Sequence, residues 1–257
     1  MKGENSPLLK LERVSKAFGG ITAVNQVDLT LAARERRAII GPNGAGKTTL
    51  FNLITHRFTP DSGRILFKGR AIDRLPSFRI WRLGISRTFQ VTSIFPRLSA
   101  LENVQVACLS HAGRTLNIVA SAAGMARDRT GALLESVGLK DQATQTAAAL
   151  SHGDRKRLEL AVALASEPEL LLLDEPTAGM APRERFALMD LVLDLARARG
   201  VTLLFTEHDM DVVFAAAETI TVMHQGSILA EGSPEDVRKN PEVQSVYLGR
   251  RQAGKRG

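Results

Sequence analysis

An α/β fold is predicted for this 257-residue chain by three observations. Apolar runs of strand length occur at Arg37–Ile40, Leu170–Leu173 and Val201–Phe205, the middle one an unbroken run of leucine that suits a parallel strand covered on both faces. Segments with helical spacing of apolar residues alternate with these runs. The first run leads directly into Gly41-Pro42-Asn43-Gly44-Ala45-Gly46-Lys47-Thr48-Thr49, which fits the pattern G-x-x-x-x-G-K-[ST].

That stretch carries its own chemistry. Gly41, Gly44 and Gly46 let the backbone turn tightly and approach a ligand closely. The amides of the loop and of the following helix then face phosphate oxygens. Lys47 is expected to reach the β- and γ-phosphates, and the Thr48 hydroxyl to ligate Mg²⁺. The helix is predicted from Thr48 to Thr55, with Leu50, Phe51, Leu53 and Ile54 as its apolar positions. Nucleotide binding is the first functional expectation.

Composition narrows the remaining classes. At 44% hydrophobic and 24% charged residues, the chain has the profile of a globular protein with an ample core. No window approaches 18 apolar residues, so no membrane span is predicted. The first residues, Met1-Lys-Gly-Glu-Asn-Ser-Pro, lack the apolar region of a signal peptide, and the single cysteine, Cys108, fits a reducing compartment. A cytosolic location follows. Part of the net charge of +7 lies in the last eight residues, with Arg250, Arg251, Lys255 and Arg256. Such a tail reads either as a solvated end or as a contact for an anionic surface. No basic stretch interleaves with aromatics as a nucleic-acid module would, so no nucleic acid is expected.

Taken in order, Leu8–Val14 and Val27–Leu31 alternate apolar and polar residues as half-exposed strands do. Between them Phe18-Gly19-Gly20 sets an aromatic ring beside a turn, able either to stack on a purine or to plug the turn. Pro60–Gly63 is a turn, Ile65–Phe67 a strand, and Lys68-Gly69-Arg70 a hairpin turn. Ile85–Gln90 reads as a strand. Ser99 caps a helix to about Leu109, with Glu102 completing a capping box. Residues 107–149 are rich in alanine and read as an interposed helical lobe, with helix from Leu116 to Val137. A turn at Leu150–Asp154 precedes a helix from Arg155 to Ser166. Ala181-Pro182 opens a helix that Gly200 stops near Arg199. Met210–Ala217 is helical, Ile220–Met223 and Ile228–Ala230 form a hairpin, and short helices follow at Pro234–Lys239 and Pro241–Leu248.

Two acids close the leucine-rich run. Asp174 is placed to hold Mg²⁺, and Glu175, pointing elsewhere, to polarise an attacking water as a general base. His208 follows the run Val201–Phe205 at the carboxyl edge where parallel sheets bind ligands, so it is read as a γ-phosphate contact that orients that water. Gln90, ending its own strand, is read as a sensor of Mg²⁺ or water.

Together these residues resemble an ATP-binding subunit of an ABC transporter, from about Leu8 to Leu248 and in the family's order. Phe18 matches the adenine-stacking aromatic, Gly41–Thr49 Walker A, Gln90 the Q-loop and Leu150–Asp154 the signature. Leu170–Glu175 matches Walker B, and His208 the switch histidine. The resemblance implies a P-loop NTPase fold of the ABC ATPase kind. Its parts are a RecA-like mixed sheet core (8–90 and 160–248), an antiparallel β subdomain, an inserted helical subdomain at about 91–159 and a basic tail at 249–257. Ser151 and Gly153 would contact the γ-phosphate bound by a second ATP-binding subunit, itself or a paralogue, in a head-to-tail dimer.

The same resemblance implies ATP and Mg²⁺ as ligands and ATP hydrolysis catalysed by Glu175, His208 and Lys47. It also implies two membrane permease subunits and, indirectly, a periplasmic solute-binding protein, with the chain on the cytoplasmic face of the inner membrane. Arg87-Thr88-Phe89-Gln90, Glu231-Gly232-Ser233-Pro234, Glu207–Asp211 and Val246–Gly249 are similar to subunits for branched-chain amino acid uptake; urea and amide transporters share the branch. Two departures stand out. The usual Leu-Ser-Gly-Gly-Gln reads Leu-Ser-His-Gly-Asp, so Asp154 brings a negative charge to the signature. The D-loop, commonly Ser-Ala-Leu-Asp, reads Ala178-Gly179-Met180-Ala181. Ile94-Phe95-Pro96 is the candidate for part of the groove that couples to the permeases.

Overall fold

A computed structural model of the chain describes residues 6–88, 94–111 and 120–246. Two compact units emerge, one from Met1–Ile80 with Thr202–Gly257, the other Trp81–Val201. The elements begin with β1 (Leu9–Phe18), β2 (Ile21–Leu31), β3 (Arg36–Ile40), α1 (Lys47–Ile54), β4 (Ser62–Phe67) and β5 (Arg70–Ala71). Next come α2 (Ser77–Arg82), β6 (Ile85–Thr88), α3 (Ala100–His111), α4 (Ala120–Ser136) and α5 (His152–Leu164). The chain continues through β7 (Leu170–Asp174), α6 (Pro182–Arg199), β8 (Thr202–Thr206) and α7 (Met210–Ala216). It closes with β9 (Thr219–His224), β10 (Ser227–Gly232) and α8 (Pro234–Lys239). Gln90, Tyr247-Leu248 and the basic tail lie outside the described residues.

In the first unit, strands in the order β2-β1-β4-β5 pair antiparallel throughout. The predicted alternation buries Leu9, Leu11 and Val14 of β1 and Val24, Val27, Leu29 and Leu31 of β2. Leu11 and Val14 are out of phase for a strict period of two. A register shift between them, with Arg13 at φ 45°, absorbs the extra residue and returns Val14 to the core. The second set of strands is mixed. β3 runs parallel to β8 on one side and β9 on the other, and β10 returns antiparallel along β9. Arg37 is buried within β3, where its guanidinium donates to Glu35 Oε1 and Glu231 Oε2, both at 2.7 Å. A buried cation needs such partners, and here they tie β3 to β10.

In the second unit, β6 and β7 pair in parallel, from Ile85 opposite Leu170 to Thr88 opposite Leu173. All five residues of β7 are buried, as its composition predicts. α3, α4 and α5 form a helical lobe whose core includes Val104, Cys108, Leu133, Leu134, Leu158 and Ala161. The capping box is present: Ser99 N donates to Glu102 Oε2 at 2.7 Å and Glu102 N to Ser99 Oγ at 3.2 Å. Gly200, at φ 66°, ends α6.

Besides the β1–β2 hairpin, whose strands run on to Phe18 and begin at Ile21, two helices differ from expectation. α2 is not legible in the sequence, because six residues with one buried position, Ile80, are too few to display a period. α5 begins at His152, not Arg155. Ser151 Oγ accepts from Asp154 N and caps the helix, so the Gly-containing stretch taken for a turn forms its first turn. Among the described residues, no helix is long and apolar enough to cross a membrane.

Candidate functional site

The phosphate loop leaves the carboxyl end of β3 and turns into α1. Its shape depends on missing side chains. A Cβ at Gly41 would lie 2.2 Å from the Met223 carbonyl oxygen, and one at Gly46 would lie 2.3 Å from that of Ala23. Both glycines hold positive φ, 155° and 104°. Pro42 O accepts from Ala45 N at 3.1 Å and closes the bend, while Asn43 and Gly44 form its exposed tip. Lys47 is buried, and its ammonium donates back to Gly41 O at 2.6 Å and Pro42 O at 3.2 Å. Thr48 is exposed and Thr49 half-buried in the first turn of α1, which has neither a side-chain cap nor an acidic residue there. A helix start without an acid, beside an ammonium and a backbone cradle, suits an anion of phosphate type.

The β1–β2 hairpin carries Phe18 to the same end of the first unit. Ala23 of β2 packs on Gly46, and Ala45 O accepts from Gly226 N at 3.0 Å, which binds hairpin, loop and β9–β10 turn together. Phe18 is 41% exposed and contacts the Phe58 ring edge-on at 5.0 Å, with Lys16 Nζ 5.4 Å from its centroid. Lys16 is held in turn by Asp61 at 2.6 Å. The ring thus packs edge-on against Phe58 while keeping part of its aromatic surface exposed. On β8, next to β3, Thr206 lies opposite Ile39. The chain leaves that edge through Glu207 to His208, which is exposed and whose amide donates to Glu207 Oε2 at 3.2 Å. Asp209 then caps α7. His208 and the phosphate loop thus emerge from the carboxyl ends of neighbouring parallel strands.

The second unit assembles the remaining residues. Asp174 ends β7 fully buried, and Arg87 of β6 donates to its Oδ2 at 2.6 Å. Glu175 follows at φ 50°, half-buried, and its carbonyl accepts from Ala178 N at 3.1 Å. Ser151 and Gly153 stand at the start of α5, where Ser151 is exposed and its hydroxyl donates to Asp154 Oδ2 at 2.8 Å. Asp154 is thereby an internal partner of the signature serine. Among the described residues no group of three or more His, Cys, Asp and Glu gathers as a metal site. Mg²⁺ takes hard oxygen donors alongside phosphate oxygens; within the first unit Thr48 offers a hydroxyl, and within the second Asp174 offers a carboxylate.

Three residues to which no motif assigns a role hold partners in the structure: Phe58, Arg87 and His152. Each meets its partner across a turn, a sheet or a helix start rather than within a motif. For His152 a signal existed, since it replaces a glycine in the signature.

The profile of the ABC transporter family matches residues 24–178, and that of the branched-chain amino acid ATP-binding cassette transporter family matches residues 227–253. The chain is 39% identical over 254 residues to the high-affinity branched-chain amino acid transport ATP-binding protein LivG of Salmonella typhimurium, covering 95% of this chain and 99% of that one. It is 38% identical over 252 residues to BraF of Pseudomonas aeruginosa, which carries the same description, covering 95% and 98%. Among solved structures, the ADP conformation of an ATP-binding cassette of an ABC transporter superposes with a TM-score of 0.83 at 29% identity, over 95% of this chain and all of that one. A phosphate cradle, a mixed sheet carrying it, a helical lobe and matches spanning nearly the whole length agree: this chain belongs to the ABC transporter family, as an ATP-binding subunit.

Proposed function

We propose that this chain hydrolyses ATP to drive an importer of branched-chain or other hydrophobic amino acids. The observation that carries the reading is the cradle at 41–49, with Lys47 folded over it, in a chain so similar to LivG over its length. Urea, amides and related small solutes are the alternatives, because an ATPase subunit does not itself bind the solute.

In this reading Phe18 stacks on the adenine, the amides of Gly41–Thr49 enclose the phosphates, and Lys47 moves from Gly41 O and Pro42 O onto the β- and γ-oxygens. Thr48 and Asp174 would hold Mg²⁺ and Gln90 would sense it; the ion would supply positive charge against that of the phosphates. His208 orients a water and Glu175 accepts its proton. As the water oxygen bonds to the γ-phosphorus, the bond to the ADP oxygen breaks, and ADP and phosphate leave. Ser151 and Gly153 of a second ATP-binding subunit cover the γ-phosphate. Closure of that dimer acts on two permease subunits at the cytoplasmic face of the membrane, supplied with solute by a periplasmic binding protein.

Glu175→Gln tests the assignment. Phosphate release should fall by about 10²–10⁴-fold while ATP remains bound and the dimer persists. Undiminished turnover in that variant would remove Glu175 from its role. Uptake of radiolabelled leucine against urea by the reconstituted transporter distinguishes the solutes.

A further inference from the structure

One side chain joins the signature loop to the turn after β7. His152 is the first residue of α5, and its Nε2 lies 3.1 Å from the Ala178 carbonyl oxygen. A carbonyl oxygen only accepts, so Nε2 carries the proton and donates. The imidazole lies along Gly179, where a Cβ would meet Nε2 at 3.3 Å and Cε1 at 3.8 Å. Gly179 also holds φ 79°, so both the room for the ring and the shape of the turn require glycine.

Beneath this contact, Met180 Cε would touch a Cβ on Gly153 at 3.6 Å, which places the methionine directly under the signature loop. The turn is itself well braced. Ala178 N donates to Glu175 O and Met180 N to Thr177 O, both at 3.1 Å, and Arg185 Nε donates to Met180 O at 2.8 Å. It starts at Glu175 and ends under Gly153.

We propose that His152 is a positioning residue that locks the signature loop to the turn beginning at Glu175. The loop that covers the γ-phosphate on the partner then moves as one body with the residue that activates water for the subunit's own ATP. This deepens the dimer reading above and rests on it. His152 and Ala178 are both exposed, so the bond adds little to folding, and its effect is to order two loops before a second subunit docks on them.

The test measures ATP-driven dimerisation in the Glu175→Gln background by analytical ultracentrifugation, with fluorescent ATP-analogue affinity of the single subunit and its melting temperature as controls. Adding His152→Ala should weaken dimerisation by about tenfold and leave both controls unchanged. His152→Gln should restore it, because its amide also donates to Ala178 O. Dimerisation undiminished in His152→Ala, or a loss that His152→Gln does not rescue, would overturn the proposal. A loss matched by weaker nucleotide binding and lower melting would overturn it equally, as plain destabilisation. If Glu175→Gln alone dimerises neither with itself nor with the transporter's second ATP-binding subunit, the dimer reading falls and takes the proposal with it.

Discussion

Lys47 shows how a loop can be prepared for an anion. Its ammonium is buried yet satisfied by the carbonyl oxygens of Gly41 and Pro42, the very loop that would enclose phosphate. Exchanging neutral carbonyl acceptors for charged oxygens strengthens each bond. Lys47→Ala should therefore weaken ATP binding by tenfold or more, measured calorimetrically, since bonds to charged groups contribute about 1.5–3 kcal/mol. Phe18→Ala should cost about 0.5–1.5 kcal/mol, and equally for ATP and ADP, because a base contact does not sense the γ-phosphate. A larger loss for ATP than for ADP would place the ring elsewhere. These residues were legible because their chemistry lies in contiguous stretches. Arg87 was not: its partner Asp174 is 87 positions away, and only the pairing of β6 with β7 brings them together.

Helix starts account for much of the local order in the second unit. Ser99 and Ser151 both cap helices, but only the first cap is legible in the sequence, because Glu102 is a familiar capping-box partner and Asp154 sits in a stretch that also fits a turn. Ser99→Ala should lower stability by about 1 kcal/mol in urea unfolding. α5 also carries Glu159, whose carboxyl is raised above its ordinary 4.5 by burial, against the opposing pull of Lys156, His152 and Arg155. The folded chain takes up this proton more readily than the unfolded one. Its contribution to stability therefore rises as pH falls through the raised value toward 4.5 and is level below that. Glu159→Gln mimics the protonated form, so its melting temperature should exceed the parent's at pH 8, with the difference vanishing near pH 4. A constant difference across that range would mean that the carboxyl is not the cause.

The chain as a whole has the parts of a subunit that works against others. The segment proposed to face the permeases divides: Ile94 turns into the core at 7% exposure, while Phe95 stands 54% exposed with its amide held by Asn103 Oδ1 at 2.6 Å. An outward aromatic on an anchored backbone suits a docking contact. Phe95→Ala should reduce recovery of the chain with co-expressed permeases in the membrane fraction, without changing ATP affinity. Equal recovery would remove Phe95 from that surface.

Sequence alone located the core strands, the phosphate loop, the two acids at the end of β7 and the histidine after β8. Each is encoded in a short run whose period, spacing or cap depends on neighbours a few residues away. Only the folded chain decided which groups those residues hold: Arg87 on Asp174, Phe58 against Phe18, Glu231 on Arg37 and His152 on Ala178. The reason is that a buried charge or a ring must find a partner wherever packing brings one, and residues far apart in the chain carry no fixed spacing that would announce the meeting.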